Sequence, residues 1–161
     1  MTLQHVSPIY VETLKSVVGP DDCDALGHMN VQHYFRAISD AMFVLMQRLG
    51  LSPREIARRR LSFAVVRAET DFRRELRAGE GFVLDSAIQQ MGDKLVVFEH
   101  RLRSELADEV AMASTYKCVI LDLDRRRAVP VPPDIRRSAM AMFPSLGTLP
   151  TEASGAPNAG P

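Results

Sequence analysis

Asp24, Gly27, His28 and Asn30 stand within one short stretch, Asp22-Cys23-Asp24-Ala25-Leu26-Gly27-His28-Met29-Asn30, directly ahead of an apolar pattern of helical period. A carboxylate placed just before a helix N-terminus lies beside backbone N–H groups that have no intrahelical acceptor, where the helix dipole favours negative charge. An acyl carbonyl seated there is polarised, and the oxyanion that develops on it is stabilised by those donors. Asp24 can then activate a water as general base or attack the carbonyl carbon as nucleophile. Gly27 gives the backbone freedom for a close approach, and His28, whose ordinary pKa lies near neutrality, can donate a hydrogen bond or move a proton. Together these parts suffice for acyl transfer to water.

Simpler roles compete at each position. An aspartate is common in turns and caps, Asp22 is suited to holding loop N–H groups, and Asn30 is a favoured N-cap whose service would be to hold the donors in place. Cys23 is adjacent to Asp24, but no base is positioned beside it by the sequence. A calcium-loop reading of Asp21, Asp22 and Asp24 fails because the twelfth position from Asp22 is His33, where a bidentate glutamate is needed. No metal and no redox cofactor is expected.

The elements that must position this loop follow from periodicity. Ile9 to Val18 alternates as a strand, with Ile9, Val11 and Val17 on one face and Tyr10, Leu14 and Val18 on the other. Gly19-Pro20-Asp21 breaks it. From Val31 to Leu49 the residues Tyr34, Ile38, Ala41, Leu45 and Leu49 form a helical stripe widened by Ala37, Met42 and Met46, closed by Gly50. Phe35, Phe43 and Met46 are candidates to border an acyl pocket. Ser52-Pro53-Arg54-Glu55 predicts a second short helix to about Arg60. Four strands are predicted over 61–75, 81–90, 94–104 and 109–123, with short turns that imply antiparallel pairing of neighbours and no further long helix. Pro130, Pro132 and Pro133 bar much more sheet. His33, His100 and Tyr34 read as structural. The expected domain covers 1–146, and 147–161, rich in Gly, Pro, Ala, Ser and Thr, is an expected disordered tail. The class is α+β: a curled antiparallel sheet of about five strands wrapped around one long helix.

A chain of 161 residues suits one domain with a real core. Its 20 basic and 20 acidic residues cancel, so no nucleic-acid or acidic-membrane partner is indicated. Locally, arginines crowd the stretch from Arg54 to Arg77, and Arg58, Arg59, Arg60, Arg73, Arg74 and Lys94 are candidates for phosphate contacts. Two cysteines without a C-x-x-C pair point to reduced thiols and a cytoplasmic protein. No signal peptide is read at the N-terminus, no run is long enough to span a bilayer, and no helix-turn-helix segment precedes the domain.

The pattern Asp24-x-x-Gly27-His28-x-Asn30-x-x-x-Tyr34 resembles the signature of the hot-dog-fold thioesterases related to 4-hydroxybenzoyl-CoA thioesterase and the plant acyl-carrier-protein thioesterases, and the resemblance runs from the first strand through Pro130-Val131-Pro132. It implies an acyl-CoA or acyl-carrier-protein thioester as substrate, Asp24 as the catalytic carboxylate, and a backbone N–H at Val31 donating to the thioester oxygen. His28 matches a catalytic histidine of the plant enzymes. Phe72-Arg73-Arg74-Glu75 is similar to their Tyr-Arg-Arg-Glu segment, which implies a role for Glu75, although Leu26 stands where they carry a functional asparagine. The resemblance also implies a homodimer or homotetramer with strands pairing between subunits and a shared active site; among the candidate cations, Arg73, Arg74 and Lys94 are carried forward for the phosphates of coenzyme A. Two other readings stay open: hot-dog hydratase or dehydratase chemistry, and a non-catalytic acyl-CoA-binding module.

Overall fold

The computed structural model describes residues 8–148. Strand β1 (Val11–Val17) leads through a short 3-10 turn to helix α1 (Val31–Arg48) and helix α2 (Pro53–Arg59). Strands β2 (Leu61–Phe72), β3 (Gly81–Met91), β4 (Leu95–Ser104) and β5 (Val110–Asp122) follow, then a short β6 (Arg127–Val129), helix α3 (Pro133–Met142) and a 3-10 turn over Pro144–Thr148. The sheet is antiparallel, in the order β1-β3-β4-β5-β2, with β6 beside β5.

Helix α1 forms where its stripe predicts. Asn30 caps it by accepting Gln32 N–H, and Gly50 leaves it with φ +97°, a left-handed turn that glycine adopts without a Cβ penalty. Its buried side, Tyr34, Ala37, Ile38, Ala41, Met42, Leu45 and Met46, packs on the inner face of the sheet against Leu84, Ile88, Phe98, Leu102 and Met112. One face of sheet and one stripe of helix bury each other, which is the reason for the wrapped architecture. Ser52 caps α2 through Glu55 N–H, and Arg60 closes it in the left-handed conformation.

Several expectations are corrected. Strands β2 and β3, neighbours in sequence, do not pair: β3 takes β1 and β2 takes β5. The connection through Gly79 therefore crosses between strands rather than closing a hairpin. A bulge between Glu12 and Leu14 resets the alternation of β1, so Val11 and Leu14 both pack toward the core while Val17 is 56% exposed. β2 ends at Phe72, because the N–H groups of Arg73 and Arg74 both turn to Ala111 O. No strand follows the prolines after Val129 among the described residues, but a helix does that the sequence reading did not include. Pro133 opens α3, a place where its fixed φ and missing N–H cost nothing, and Ile135, Ala139 and Phe143 are fully buried in the core.

The expected domain end at 146 falls within the last 3-10 turn, which includes Gly147 and Thr148. The expectations for the N-terminal residues before Pro8 and for the tail beyond 148 lie outside the described residues. Among the described residues no helix is long and apolar enough to cross a membrane.

Candidate active site

The segment between β1 and α1 is built by its own polar groups. Asp22 Oδ2 accepts Gly19 N–H at 2.7 Å, its carbonyl accepts Asn30 N–H at 2.8 Å, and its Oδ1 lies 3.1 Å from His33 Nδ1 on α1. Asp22 and His33 are thus the structural anchors of the loop. Cys23 bridges to Met29, and between them Gly27 N–H donates to Asp24 O at 2.9 Å with Gly27 at φ +80°. Met29 N–H donates to Leu76 O at 2.7 Å, tying the loop to the chain leaving β2.

Asp24 sits at the start of this turn with both carboxylate oxygens engaged. Oδ1 accepts Leu26 N–H at 2.9 Å and Oδ2 accepts Asn30 Nδ2 at 2.8 Å. These bonds favour the ionised form, Leu26 first and Asn30 second, and hold the carboxyl below the usual aspartate range. Asn30 therefore serves two groups at once: its Oδ1 caps α1 at Gln32 N–H, 3.1 Å away, while its amide donates to Asp24. Beside it the Val31 N–H meets no acceptor among the described residues, as expected for the first residue of a helix.

A cleft of about 300 Å³ opens at this helix end, lined by His28, Met29, Val31, Tyr34, Phe72, Arg73, Arg74 and Glu75. His28 Nε2 lies 3.6 Å from Glu75 Oε1. The structure thus brings His28, Val31 and Glu75 into one cleft and places Asp24 behind its rim, joined to it through Asn30 and through Asp24 N–H donating to His28 O at 3.1 Å. Tyr34, read from the sequence as core, is also the cleft's inner wall, its ring edge-on to Phe72 at 5.3 Å. Met29 and Phe72 had no chemical signature as wall residues, since nothing in their types marks a cleft. Phe35, Phe43 and Met46 do not line this cleft; Phe35 and Phe43 are exposed and Met46 is buried.

The candidate cations separate. Arg74 is committed to Glu80 at 2.8 Å, which holds the Glu80 carboxyl below its usual range, and it also lies 3.5 Å from Glu109. Arg73 is freer, with its nearest acid, Asp71, at 3.9 Å. Lys94 is not brought to this cleft: it lies in the β3–β4 turn beside Leu95, which pairs with Val119, whereas Phe72 pairs with Met112. Seven residues of β5 separate those levels, about 23 Å. Among the described residues no three His, Cys, Asp or Glu side chains converge to hold a metal ion.

A helix enclosed by a curled antiparallel sheet, with a carboxylate-bearing loop at the helix N-terminus, defines the hot-dog class. The sequence matches the model of the thioesterase-like superfamily over residues 18–138, and the chain belongs to that family. No curated protein sequence matches it. Among solved structures, it is similar to a Staphylococcus aureus protein characterised in complex with CoA, at 18% identity and TM-score 0.79 over 94% of both chains. It is also similar to a gentisyl-coenzyme A thioesterase (21% identity, TM-score 0.68, 77% of this chain and 96% of that one) and to a DHNA-CoA thioesterase of Staphylococcus aureus (13%, 0.69, 80% and 87%).

Proposed function

We propose that this chain hydrolyses acyl-CoA thioesters to the free acid and thiol. The observation that carries the reading is the unengaged Val31 N–H in a cleft that has an oriented Asp24 carboxylate behind its rim, joined to it through Asn30. The thioester oxygen docks on the Val31 N–H, with the dipole of α1 behind it, and the donor gains strength as charge develops on that oxygen. Asp24 acts as nucleophile or as general base toward water. Its depressed pKa keeps it ionised, which suits attack, and makes it a weaker base. His28 and Glu75, 3.6 Å apart in the cleft, are placed to protonate the leaving thiolate or to orient water. Arg73 is the cation in this chain best placed for a phosphate of coenzyme A. Coenzyme A, rather than a carrier protein, is the thiol carrier that the structural neighbours' names support.

A homodimer, alone or as half of a homotetramer, is part of this proposal. β2 is an edge strand of 12 residues with Val65, Val66 and Phe72 exposed, and α1 adds exposed Val31, Phe35 and Phe43. An open apolar edge of that length is covered in a stable protein, and a second β2 covers it by twofold antiparallel pairing.

Thiol release from a panel of acyl-CoA esters tests the reading. Asp24→Asn, which keeps the turn's acceptor to Leu26, is expected to lower turnover roughly 10²–10⁴-fold with the fold intact. A near-wild-type rate in that variant would remove Asp24 from the chemistry.

A further inference from the structure

Coenzyme A carries a diphosphate and a ribose phosphate at the far end of its pantetheine arm, away from the thioester. Holding them takes several cations, and this chain brings few to its own cleft. Of the arginines lining the cleft, Arg74 is committed to Glu80 and Glu109, which leaves Arg73. The arginines of α2 lie at the other end of the same strand, since α2 ends at Arg59 and β2 runs from Leu61 to Phe72 at the cleft. A strand of 12 residues spans about 36 Å, so in one chain the two ends cannot share a ligand.

These α2 arginines are held differently. Arg59 is 16% exposed and reaches both oxygens of Asp134, at 2.8 and 3.2 Å, so it ties α2 to α3. Arg54 and Arg58 stand one turn apart on one side of the helix. Arg54 is exposed and forms no salt bridge among the described residues. Arg58 is 67% exposed and holds only its neighbour Glu55, an exposed pair that contributes little and can yield to a phosphate.

The open edge of β2 decides where this side of α2 goes in a dimer. A twofold axis normal to the sheet keeps the inner face inner, so the axis must pass through a residue and set like faces opposite each other. An axis through Arg67 or Glu69 sets that charge against itself, and one through Thr70 sets Glu69 against the partner's Asp71. An axis through Ala68 faces Arg67 with the partner's Glu69, and Glu69 with the partner's Arg67. The helix agrees with that axis. Phe35 of α1 lies 6.3 Å from Phe72 between ring centroids, and Met46 Sδ lies 4.0 Å from Ser62 Oγ, so Ser39 falls near the level of Ala68. The same axis then faces Phe35 with the partner's Phe43, two rings that a single chain leaves 37% and 55% exposed. With Val66 as the extra residue of the bulge, Phe72 faces the partner's Phe63. The end of the partner's α2 therefore stands at the level of Arg73 and Glu75.

We infer that Arg54 and Arg58 of one subunit hold the phosphates of the coenzyme A whose thioester is cleaved in the other subunit's cleft, beside that subunit's Arg73. This assignment rests on the thioesterase reading and on the β2 dimer proposed with it, and it leaves each cleft incomplete in a single chain. The double variant Arg54→Ala, Arg58→Ala keeps the helix propensity of α2. It should raise KM for CoA esters about tenfold or more, and leave KM unchanged for acyl-pantetheine esters, which lack the nucleotide. An unchanged KM for CoA esters overturns the inference. Mixed dimers show whose arginines serve which cleft: one chain carries Asp24→Asn, the other Arg54→Ala and Arg58→Ala, and the two are co-expressed with different tags and purified through both. The cleft that keeps Asp24 then faces the intact arginines of the other chain. The mixed dimer should regain the wild-type KM at half the turnover, with one working cleft in two. A KM that stays raised, or failure to recover any two-tag species, overturns the inference. If no thioester is hydrolysed, the thioesterase reading fails, and calorimetry with coenzyme A itself still decides between the outcomes. A mixed dimer of an Arg73→Ala chain with an Arg54→Ala, Arg58→Ala chain should hold one coenzyme A at the wild-type Kd; two equally weakened sites overturn the inference.

Discussion

Lowering the pH from 7 to 4 should destabilise this protein through His100 in a way that a single substitution isolates. The imidazole is fully buried, and burial pushes its pKa from the ordinary 6.5 down to about 4. In the unfolded chain the ring takes a proton below about 6.5, whereas in the folded protein it does so only near 4. The stabilisation is therefore fully present above pH 6.5, falls as pH drops through the interval, and levels off below 4 when both states are protonated. Each pH unit between the two values removes about 1.4 kcal/mol. The total is about 3 kcal/mol, equivalent to a fall in Tm of roughly 6–12 °C for a chain of this size. Carboxylates such as Asp24 and Glu80, whose pKa values are also lowered, add their own acid sensitivity. The informative quantity is thus the difference between wild type and His100→Asn, measured by urea unfolding at several pH values and one fixed protein concentration, since an oligomer's stability depends on concentration. The variant is expected to be less stable at pH 7 but to lose stability less steeply between 6.5 and 4, by about 1.4 kcal/mol per pH unit. Parallel pH profiles for the two proteins would refute the reasoning, because the buried ring would then titrate alike in both states.

Other outcomes follow from the same contacts. Arg73→Ala should raise KM for CoA esters roughly tenfold or more, the loss expected of one charge-assisted phosphate contact, and leave KM for short thioesters without the nucleotide unchanged. Arg74→Ala should act first on stability, since that guanidinium serves Glu80 and Glu109; a lower Tm than for Arg73→Ala in parallel melts is the check. Val66→Lys puts a charge on the bulged, 60% exposed edge of β2. Light scattering should then show a smaller particle with unchanged circular dichroism, and an unaltered mass would place the subunit contact elsewhere. Phe143→Ala removes a fully buried ring that seats the end of α3 and should cost about 3–5 kcal/mol in urea unfolding.

Local signals in the sequence determine much of this protein. The helix over Val31–Arg48, its Asn30 cap and the extent of β3, β4 and β5 all follow from period, cap and breaker residues, which act over a few positions. The loop holding Asp24, His28 and Asn30 is legible for the same reason. Helix α3 is missing from the sequence reading, where the three prolines count only as a bar to further sheet, although Ile135, Ala139 and Phe143 recur every four residues and Pro133 is well placed to begin a helix. What the tertiary structure alone decides is non-local. The pairing of β3 with β1 and β2 with β5 depends on which faces α1 covers, and no turn residue encodes it. That pairing sets Glu75 beside His28, takes Lys94 to the far end of the sheet, and aligns Thr13, Ser86, His100, Ser114 and Thr70, drawn from five separate strands, across one buried row.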